Sequence, residues 1–217
     1  MYCDLHVHSV FSDGELIPSE IARRMADKGV NGFAITDHAD FSNVSWIMER
    51  LLKLQEWRDD YEKYYGVEIL FGVEITHVPP RLMDRCVELA RSEGAEIVVV
   101  HGETLAEPVA EGTNESAVEC DVDILAHPGI ISADLADRAW ENGVYLELSA
   151  RKGHCLGNGC VARYGRKLVI NTDTHSPGDI ISEELAIRIC RAAGVENPGE
   201  VLENNVRLFK KLRSKSR

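Results

Sequence analysis

Short apolar runs alternate with more polar stretches along most of the chain. Seven of these runs, rich in Val, Ile, Leu and Phe, are predicted to be strands: 3–8, 31–36, 67–74, 96–101, 122–127, 143–148 and 167–172. Such near-continuous apolar runs are typical of strands that are buried on both faces, as in a parallel sheet. The pattern therefore predicts an α/β fold built on a buried parallel sheet.

The stretches between the runs show the apolar spacing of amphipathic helices. Helices are predicted over 18–29, 44–65, 80–93, 104–118, 132–142, 179–194 and 198–214. The first has Pro18 in its first turn and ends at Gly29, which are residues that helices favour at these positions. Because strand and helix alternate seven times, the sequence indicates a compact parallel barrel with one unit fewer than the usual eight. We expect residues 1–217 to form a single domain.

Histidines recur at the points where the predicted strands end. Six of the eight close a short apolar run, in DLHVH (4–8), AITDH (34–38), IVVVH (97–101), ILAH (124–127) and INTDTH (170–175), and Glu74 ends ILFGVE in the same way. The C-terminal strand ends of a parallel barrel meet on one face, so these side chains are expected to converge there. His6 and His8 are two positions apart and point to the same face of their strand. Imidazoles and carboxylates that converge at a barrel mouth predict a metal site.

The motifs around these residues resemble those of a known family. DLHVHSVFSDG, AITDH, GVEI, VVVH, LAHPG and NTDTHS follow one another between residues 4 and 176. This series is similar to the successive motifs of the PHP family, named for polymerase and histidinol phosphatase. The resemblance implies a distorted (β/α)7 TIM-like barrel with up to three divalent metal ions at its C-terminal face. It also implies a metal-dependent phosphoesterase, because many members hydrolyse phosphoesters.

The resemblance further implies which residues hold the ions. They are His6, His8, Glu74 and Asp173 for the first ion, Glu74 with His101 and His127 for the second, and Asp13, His38 and His175 for the third. Asp13 takes a loop position at which some family members have a histidine. A carboxylate that bridges two ions, as Glu74 would, also keeps two cations close without prohibitive repulsion. We expect two to three ions, and mixed histidine and carboxylate ligands accept Zn, Mn or Fe.

The expected reaction is hydrolysis of a small phosphomonoester by metal-activated water, with histidinol phosphate as a candidate by resemblance only. No catalytic residue beyond the metal-bound water is predicted. The sixth strand, VYLELS, ends without a candidate ligand, so the loop after it is free to bind substrate. Arg151 and Lys152 lie in this loop and are the predicted substrate-binding residues, since Arg suits bidentate phosphate recognition. The alternative interpretation is that Arg151 and Lys152 are solvated charges of a surface loop.

Weaker signals surround these motifs. Asp4 and Asp37 flank candidate ligands and either orient an imidazole or are ordinary turn carboxylates. His77 and His154 fall outside the family motifs, and we expect them to be surface or loop histidines. Cys155, beside His154, is expected to be a spectator thiol, and the same holds for Cys160.

Composition narrows the class of protein. The chain has a net charge of −12, which disfavours a general nucleic-acid or membrane surface, and no apolar run long enough to span a membrane. Its six cysteines show no CxxC spacing, and the N-terminal segment MYCDLHVHS is polar from its fourth residue, so we expect no secretory signal. We therefore expect a cytoplasmic protein with reduced thiols that acts on a small phosphorylated substrate. The sequence leaves its oligomeric state open.

Three alternative functions remain open at this point. The same metal site could belong to a nuclease or nucleotide phosphodiesterase, although the chain has no concentrated basic track apart from its C-terminal tail. It could also hydrolyse C–N bonds, because metal-bound hydroxide attacks carbon as well as phosphorus. A non-catalytic metal-binding barrel is the third alternative, but such a protein should have lost some of the nine ligands.

Overall fold

Seven parallel strands form a nearly closed barrel in the computed structural model, which describes residues 1–215. The strands are hydrogen-bonded neighbours in chain order, namely β1 Cys3–Val7, β2 Gly32–Ala39, β3 Glu68–Ile75, β4 Ile97–His101, β5 Ile124–Ala126, β6 Tyr145–Ser149 and β7 Leu168–Asn171. The helices around them are α1 Pro18–Asp27, α2 Val44–Gln55, α3 Arg58–Tyr65, α4 Met83–Ser92, α5 Thr113–Val118, α6 Ala133–Glu141, α7 Asn158–Tyr164, α8 Glu183–Ala192 and α9 Pro198–Lys215. The predicted α/β class and distorted (β/α)7 TIM-like barrel are confirmed. The extent of the domain over 1–217 stays a prediction.

The helices differ from the predictions at four places, and the smallest difference is in α8, which begins at Glu183 rather than at residue 179. The single helix expected over 44–65 is broken at Trp57, which lets Arg58 turn inward and pair with Glu96 at 2.7 Å. The helix expected over 104–118 begins only at Thr113, because Pro108 lacks a backbone N–H and the loop before Thr113 runs across the barrel mouth. The short helix α7 was not predicted at all.

The barrel interior is filled at its N-terminal end by apolar side chains. The inward-facing residues there pack against Leu208, Phe209 and Leu212 of α9, which crosses this end of the barrel. A larger apolar core lies between the outer faces of the strands and the surrounding helices. The apolar plug leaves only the C-terminal half of the interior for polar side chains.

Polar side chains close the seam between β1 and β7, where backbone pairing is sparse. Asn205 of α9 donates to the carbonyl oxygens of Cys3 and Ile170 at 3.0 Å each, and it accepts from the N–H of Ile170 at 3.0 Å. The N–H of Leu5 donates to the Asn171 side chain at 2.9 Å. The seam therefore depends on α9 as well as on the two strands that it joins. Within residues 1–215, no helix is long and apolar enough to cross a membrane.

Candidate metal centre

The barrel brings all nine predicted metal ligands together at the C-terminal mouth. They lie on β1 or just after it (His6, His8, Asp13), at the ends of β2, β3 and β4 (His38, Glu74, His101), and after β5 and β7 (His127, Asp173, His175). A register shift of β1 against β2 falls between Asp4 and Val7. Because of this bulge, Leu5 faces the apolar plug while His6 and His8 both face the mouth.

Glu74 lies among four of the imidazoles. Its Oε1 atom lies 3.3 Å from His6 Nε2 and 3.4 Å from His127 Nε2. Its Oε2 atom lies 2.7 Å from His38 Nδ1 and 3.6 Å from His8 Nε2. The Glu74 side chain is fully buried, so these groups are its immediate surroundings. The two oxygens point to different sets of imidazoles, which is the arrangement a bridging ligand needs.

The residues expected around the first ion form two overlapping triads. His6, His8 and Glu74 offer ligand atoms within 4.8 Å of one another, and so do His6, His127 and Asp173. Asp173 Oδ1 lies 3.3 Å from His8 Nε2, and its Oδ2 lies 3.7 Å from His127 Nε2. Asp173 is therefore shared between the expected first and second positions.

The other two expected positions form compact groups. The ligand atoms of Glu74, His101 and His127 also lie within 4.8 Å of one another, as the second ion position requires. Around the third position, Asp13 Oδ1 lies 3.2 Å from His175 Nε2 and 3.6 Å from His38 Nε2. His8 joins this third group.

Unpaired polar atoms at the centre provide a test of whether the residues fit metal ions. Buried atoms that find no hydrogen-bond partner within residues 1–215 include His6 Nε2, His8 Nδ1 and Nε2, Glu74 Oε1, His101 Nδ1 and His127 Nδ1. A buried polar atom without a partner costs about 1–3 kcal/mol. Imidazole nitrogens and carboxylate oxygens are the donors that Zn, Mn and Fe take in proteins. The donor set therefore fits divalent ions.

The carboxylates of the centre are held in their ionised form. Burial alone would raise the pKa of Glu74, but the imidazoles of His6, His38 and His101 hold that pKa well below its usual range. Burial likewise opposes ionisation of Asp173, yet His6 is the largest of the influences that lower its pKa well below the ordinary value. Both side chains are thus negatively charged at neutral pH and attract cations.

The imidazoles fall into two groups by charge. Burial is the main cause that lowers the pKa of His8 to about 3 and that of His101 to about 4. These two rings are therefore neutral, which is the form that binds metal. Burial also opposes the charged form of His6, but Glu147 and Glu74 outweigh it and raise the pKa of His6 well above its usual value. Metal binding at His6 would have to displace that proton.

Glu147 is a member of the centre that the sequence prediction missed. Its Oε1 atom accepts hydrogen bonds from His6 Nδ1 at 2.9 Å and Asn171 Nδ2 at 2.8 Å. Its Oε2 atom accepts from the N–H of His127 at 3.1 Å. Because His6 Nδ1 donates to Glu147, His6 Nε2 is left to face Glu74. The available signal was a lone glutamate inside the apolar run VYLEL.

His154 and Glu107 also reach the centre. We expected His154 to be a surface or loop histidine, but its side chain is 11% exposed and its Nδ1 atom lies 2.8 Å from Asp173 Oδ2. Glu107 comes from the loop after β4, and its Oε1 atom lies 2.7 Å from His101 Nε2. His101, Glu107 and His154 form a further group of possible ligands. His154 thus lies in the loop after β6, as expected, but is turned toward the centre and away from the surface.

Asp37 and Asp4 hold loops rather than imidazoles. Asp37 accepts hydrogen bonds from the N–H and hydroxyl of Ser9 and from the hydroxyl of Ser12, each at 2.7 Å. Asp4 accepts from the N–H and hydroxyl of Thr172, and burial raises the pKa of Asp4 to about 7. Both carboxyls thus fix the backbone beside candidate ligands. The sequence left open whether these carboxyls orient an imidazole or are ordinary turn carboxylates. They support the candidate ligands through the backbone, which is a role intermediate between the two.

The remaining loop residues lie nearer the surface. His77 is exposed, with its ring centroid 5.2 Å from that of His101, and it remains outside the groups of possible ligands among the described residues. Cys155 is exposed, and the thiol of Cys160 contacts the carbonyl oxygen of Ile131 at 3.4 Å. Neither thiol belongs to a group of possible metal ligands within residues 1–215.

The two predicted substrate-binding residues differ in how they are held. Arg151 Nη1 donates to the carbonyl oxygen of Asp173 at 3.0 Å and lies 2.6 Å from His175 Nδ1. The Arg151 side chain is 30% exposed, so part of its guanidinium faces the mouth. Lys152 is exposed and makes no hydrogen bond or ion pair within residues 1–215. Arg151 is thus attached to the centre, whereas Lys152 is not.

Comparison with known proteins agrees with this geometry. The family model of the PHP domain matches residues 4–119. The chain belongs to the PHP family. It is 45% identical to the uncharacterized protein MJ1295 of Methanocaldococcus jannaschii over 212 residues, which is 95% of each chain. It is also 30% identical over 196 residues to the DNA polymerase/3'-5' exonuclease PolX of Bacillus subtilis, covering 80% of this chain but only 34% of PolX.

Solved structures place this PHP chain among similar barrels. Histidinol phosphate phosphatase from Lactococcus lactis, in a complex with Zn, L-histidinol and phosphate, matches with a TM-score of 0.62. The sequence identity is 16%, and the match covers 91% of this chain and 94% of the phosphatase chain. At this identity the likeness concerns the fold. The PHP chain therefore shares the barrel fold of this phosphatase.

Proposed function

We propose that this PHP chain is a metal-dependent phosphatase that hydrolyses a small phosphomonoester, with histidinol phosphate as one candidate substrate. The observation that carries the proposal is the buried set of imidazoles around Glu74. Several nitrogens of these rings have no hydrogen-bond partner among residues 1–215. The nine residues named from the sequence would hold two to three ions, and Glu107 and His154 lie within reach of the His101 position. Zn, Mn and Fe all suit this donor set.

Divalent ions bound here would supply Lewis acidity, which activates water at neutral pH and neutralises charge on a phosphoryl group. The protein's part is to orient the ligands toward one another. Glu147 holds His6 with its Nε2 atom toward Glu74, and the carbonyl oxygen of Asp173 lies 2.9 Å from His175 Nδ1. Arg151 Nη1, which can only donate, lies 2.6 Å from the same nitrogen, and the Nε2 atom of His175 faces Asp13.

Arg151 is the residue we propose to contact the phosphate. Its attachment to the Asp173 carbonyl places the guanidinium beside the centre, and its partial exposure leaves donors for a second partner. A planar guanidinium can donate two parallel hydrogen bonds to phosphate oxygens. Lys152, which is exposed in the same loop, would add a longer-range positive charge.

The charges around the mouth favour a small substrate over a nucleic acid. The loop after β4 carries Glu103, Glu107 and Glu111, whereas Arg151 and Lys152 are the cations of the loop after β6. Nucleic-acid affinity depends on several cationic contacts to successive phosphates. An acidic rim disfavours such a polyanion, while ions at the centre would still attract one phosphate group.

Metal content and hydrolysis together test this proposal. Protein purified without chelator should contain more than one divalent transition-metal ion per chain by elemental analysis. It should hydrolyse members of a phosphomonoester panel after Zn, Mn or Fe is added back. Glu74→Gln should lose bound metal and reduce hydrolysis by at least about 100-fold, because Glu74 contacts imidazoles of more than one candidate position.

His77→Ala is the matched control, because His77 lies at the end of the same segment but is exposed and outside the ligand groups. It should leave metal content and rate within about twofold. Equal effects of the two variants, or full activity in excess chelator, would contradict the proposal. A dinucleotide and an N-acyl amide in the panel represent the nuclease and C–N hydrolase alternatives. Turnover of these alone would favour one of them, and metal binding without turnover would favour a non-catalytic barrel.

A further inference from the structure

A carboxylate and a histidine that belong to none of the three expected ion positions meet beside His101. The Oε1 atom of Glu107 lies 2.7 Å from His101 Nε2. His101, Glu107 and His154 each offer one ligand atom, and these atoms lie within 4.8 Å of one another. Two ligand atoms about 2.1 Å from a tetrahedral zinc ion are about 3.4 Å apart, so small side-chain movements would let all three share one ion. We call these three residues the mouth triad.

The loops after β4 and β6, which carry the two outer members of the mouth triad, contact each other. A Cβ atom on Gly153 would lie 3.3 Å from the Cβ atom of Ala106, so the loop after β6 packs against the loop after β4. Asn114 braces the loop after β4, because its side-chain oxygen accepts from the N–H of Glu103 at 2.9 Å. The N–H of Asn114 in turn donates to the Glu103 carboxylate at 3.0 Å. Packing and hydrogen bonds therefore hold both loops in place beside the centre.

His154 is oriented in the way that metal-binding histidines usually are. Its Nδ1 atom lies 2.8 Å from the Oδ2 atom of Asp173, and its side chain is only 11% exposed. Metal-binding histidines commonly donate one ring N–H to a carboxylate, which fixes the tautomer. A proton on Nδ1 that is donated to Asp173 places the lone pair of the ring on Nε2. Nε2 is then the atom with which His154 would bind an ion.

His101 links the mouth triad to the second ion position. Its ring is 2% exposed, and its Nδ1 atom has no hydrogen-bond partner among residues 1–215. A neutral imidazole has one lone pair, so His101 can serve one ion at a time. The triad and the second position, which shares His101 with Glu74 and His127, therefore compete for this ring. Glu107 is 41% exposed whereas Glu74 and His127 are buried, so the triad is the outer of the two groups.

We propose that the mouth triad is a further metal position, an outer site for the ion that the second position otherwise holds. Two imidazoles and one carboxylate form a donor set that binds Zn²⁺ or Fe²⁺ and leaves coordination sites open. The inference rests on the proposed function only in assuming a metal-binding centre, and it is independent of the substrate. An ion at the triad lies on the solvent side of the second position.

Removing one ligand from each of the two positions in the same chain tests this proposal. His127→Gln removes a ligand of the second position and leaves the mouth triad intact, so this variant should keep an ion at His101. Adding Glu107→Gln should then remove about one zinc ion per chain or weaken its binding at least about 10-fold. Titration of the metal-free protein with Zn²⁺ in competition with a fluorescent chelator would measure both effects without any need for hydrolysis.

Glu111→Gln in the same His127→Gln background is the matched control. Glu111 is an exposed glutamate of the same loop, and among the described residues it lies outside the groups of possible ligands. If His127→Gln does not fold, Glu74→Gln takes its place, because Glu74 is another ligand of the second position.

His154→Gln tests the third member of the triad. In the His127→Gln background it should cause the same loss of zinc as Glu107→Gln. The two changes together should lose no more than either alone, because both side chains would bind the same ion. Additive losses would mean that His154 acts on a different ion, which contradicts the triad.

The outcomes separate the mouth triad from the proposed function. If the natural protein binds no divalent ion, the proposed function and the triad both fail. If it binds zinc but hydrolyses no phosphomonoester, the proposed function fails, and a loss of zinc in the Glu107 variant still supports the triad. If the Glu107 and Glu111 variants bind equal amounts of zinc with equal affinity, the triad is wrong and the proposed function stands.

Discussion

Three donors share the two carboxylate oxygens of Glu147, which makes this position sensitive to loss of charge. His6 Nδ1 and Asn171 Nδ2 share Oε1, and the N–H of His127 uses Oε2. An amide in place of the carboxylate would put its own N–H groups toward one of these donors. The fully buried site offers no solvent to relieve that conflict.

Glu147→Gln should therefore weaken metal binding without removing a candidate ligand. We expect metal affinity to fall about 10- to 100-fold, the range found when a group that orients a metal-bound histidine is lost. A competition titration with a fluorescent zinc chelator would measure this. Glu203→Gln, an exposed change on α9, is the control. An unchanged affinity in Glu147→Gln would mean that Glu147 does not orient His6.

The sequence predicted the nine candidate ligands because each lies where a strand ends or in a loop that a family motif marks. No family motif includes Glu147, Glu107 or His154. Their roles depend on partners that are distant in sequence. His6 and Glu147, for example, are 141 positions apart. VYLEL shows a buried strand with one charge, but nothing in these five letters shows which histidine that charge faces. Such contacts can be identified only from the folded barrel.

At the level of whole elements, the predicted strands were reliable because each is an apolar run buried on both faces. The predicted helices were less reliable. Pro108 and Gly112 interrupt the segment expected to be helical over 104–118, and the chain there serves as a loop that brings Glu107 to His101. Apolar spacing alone did not distinguish this loop from a helix. The break at Trp57 likewise follows from a tertiary contact, the buried pair of Arg58 and Glu96.

Helix α9 should contribute strongly to stability through one side chain. Asn205 is fully buried and bonds to Cys3, Ile170 and Asn171. Asn205→Ala would leave these seam groups without their partner, which should reduce the free energy of unfolding by about 2–4 kcal/mol. Urea denaturation would measure the loss. Arg207→Ala, exposed on the same helix, should cost less than about 0.5 kcal/mol, and equal effects of the two would contradict the role of Asn205 in the seam.

Over the whole molecule, all six thiols are free, and three of them, Cys3, Cys86 and Cys190, are buried. Burial raises the pKa of Cys3 from its ordinary value of 9.0 to about 12, and those of Cys86 and Cys190 to about 11. The expected cytoplasmic location stays a prediction.

The shifted thiols predict a loss of stability in alkali. Unfolded chains release these protons near pH 9, whereas the folded protein keeps them until about pH 11–12. The thiol contribution is therefore complete below pH 9 and declines as the pH rises toward 12. Melting temperatures between pH 8 and 10.5 should fall more steeply in the natural protein than in Cys86→Ala/Cys190→Ala. Parallel pH profiles would show that these thiols stay protonated in both states.

The seam between β1 and β7 also sets the order in which the barrel can be completed during synthesis. The bond from Asn205 to Cys3 joins residues 202 positions apart. At the usual 5–20 residues per second, about 10–40 s separate the translation of these two residues. The seam partners of β1 in Asn171 and Thr174 are made only after β7 begins, and the last contact on this edge waits for α9. The first strand of the nascent chain therefore waits longest for its second neighbour.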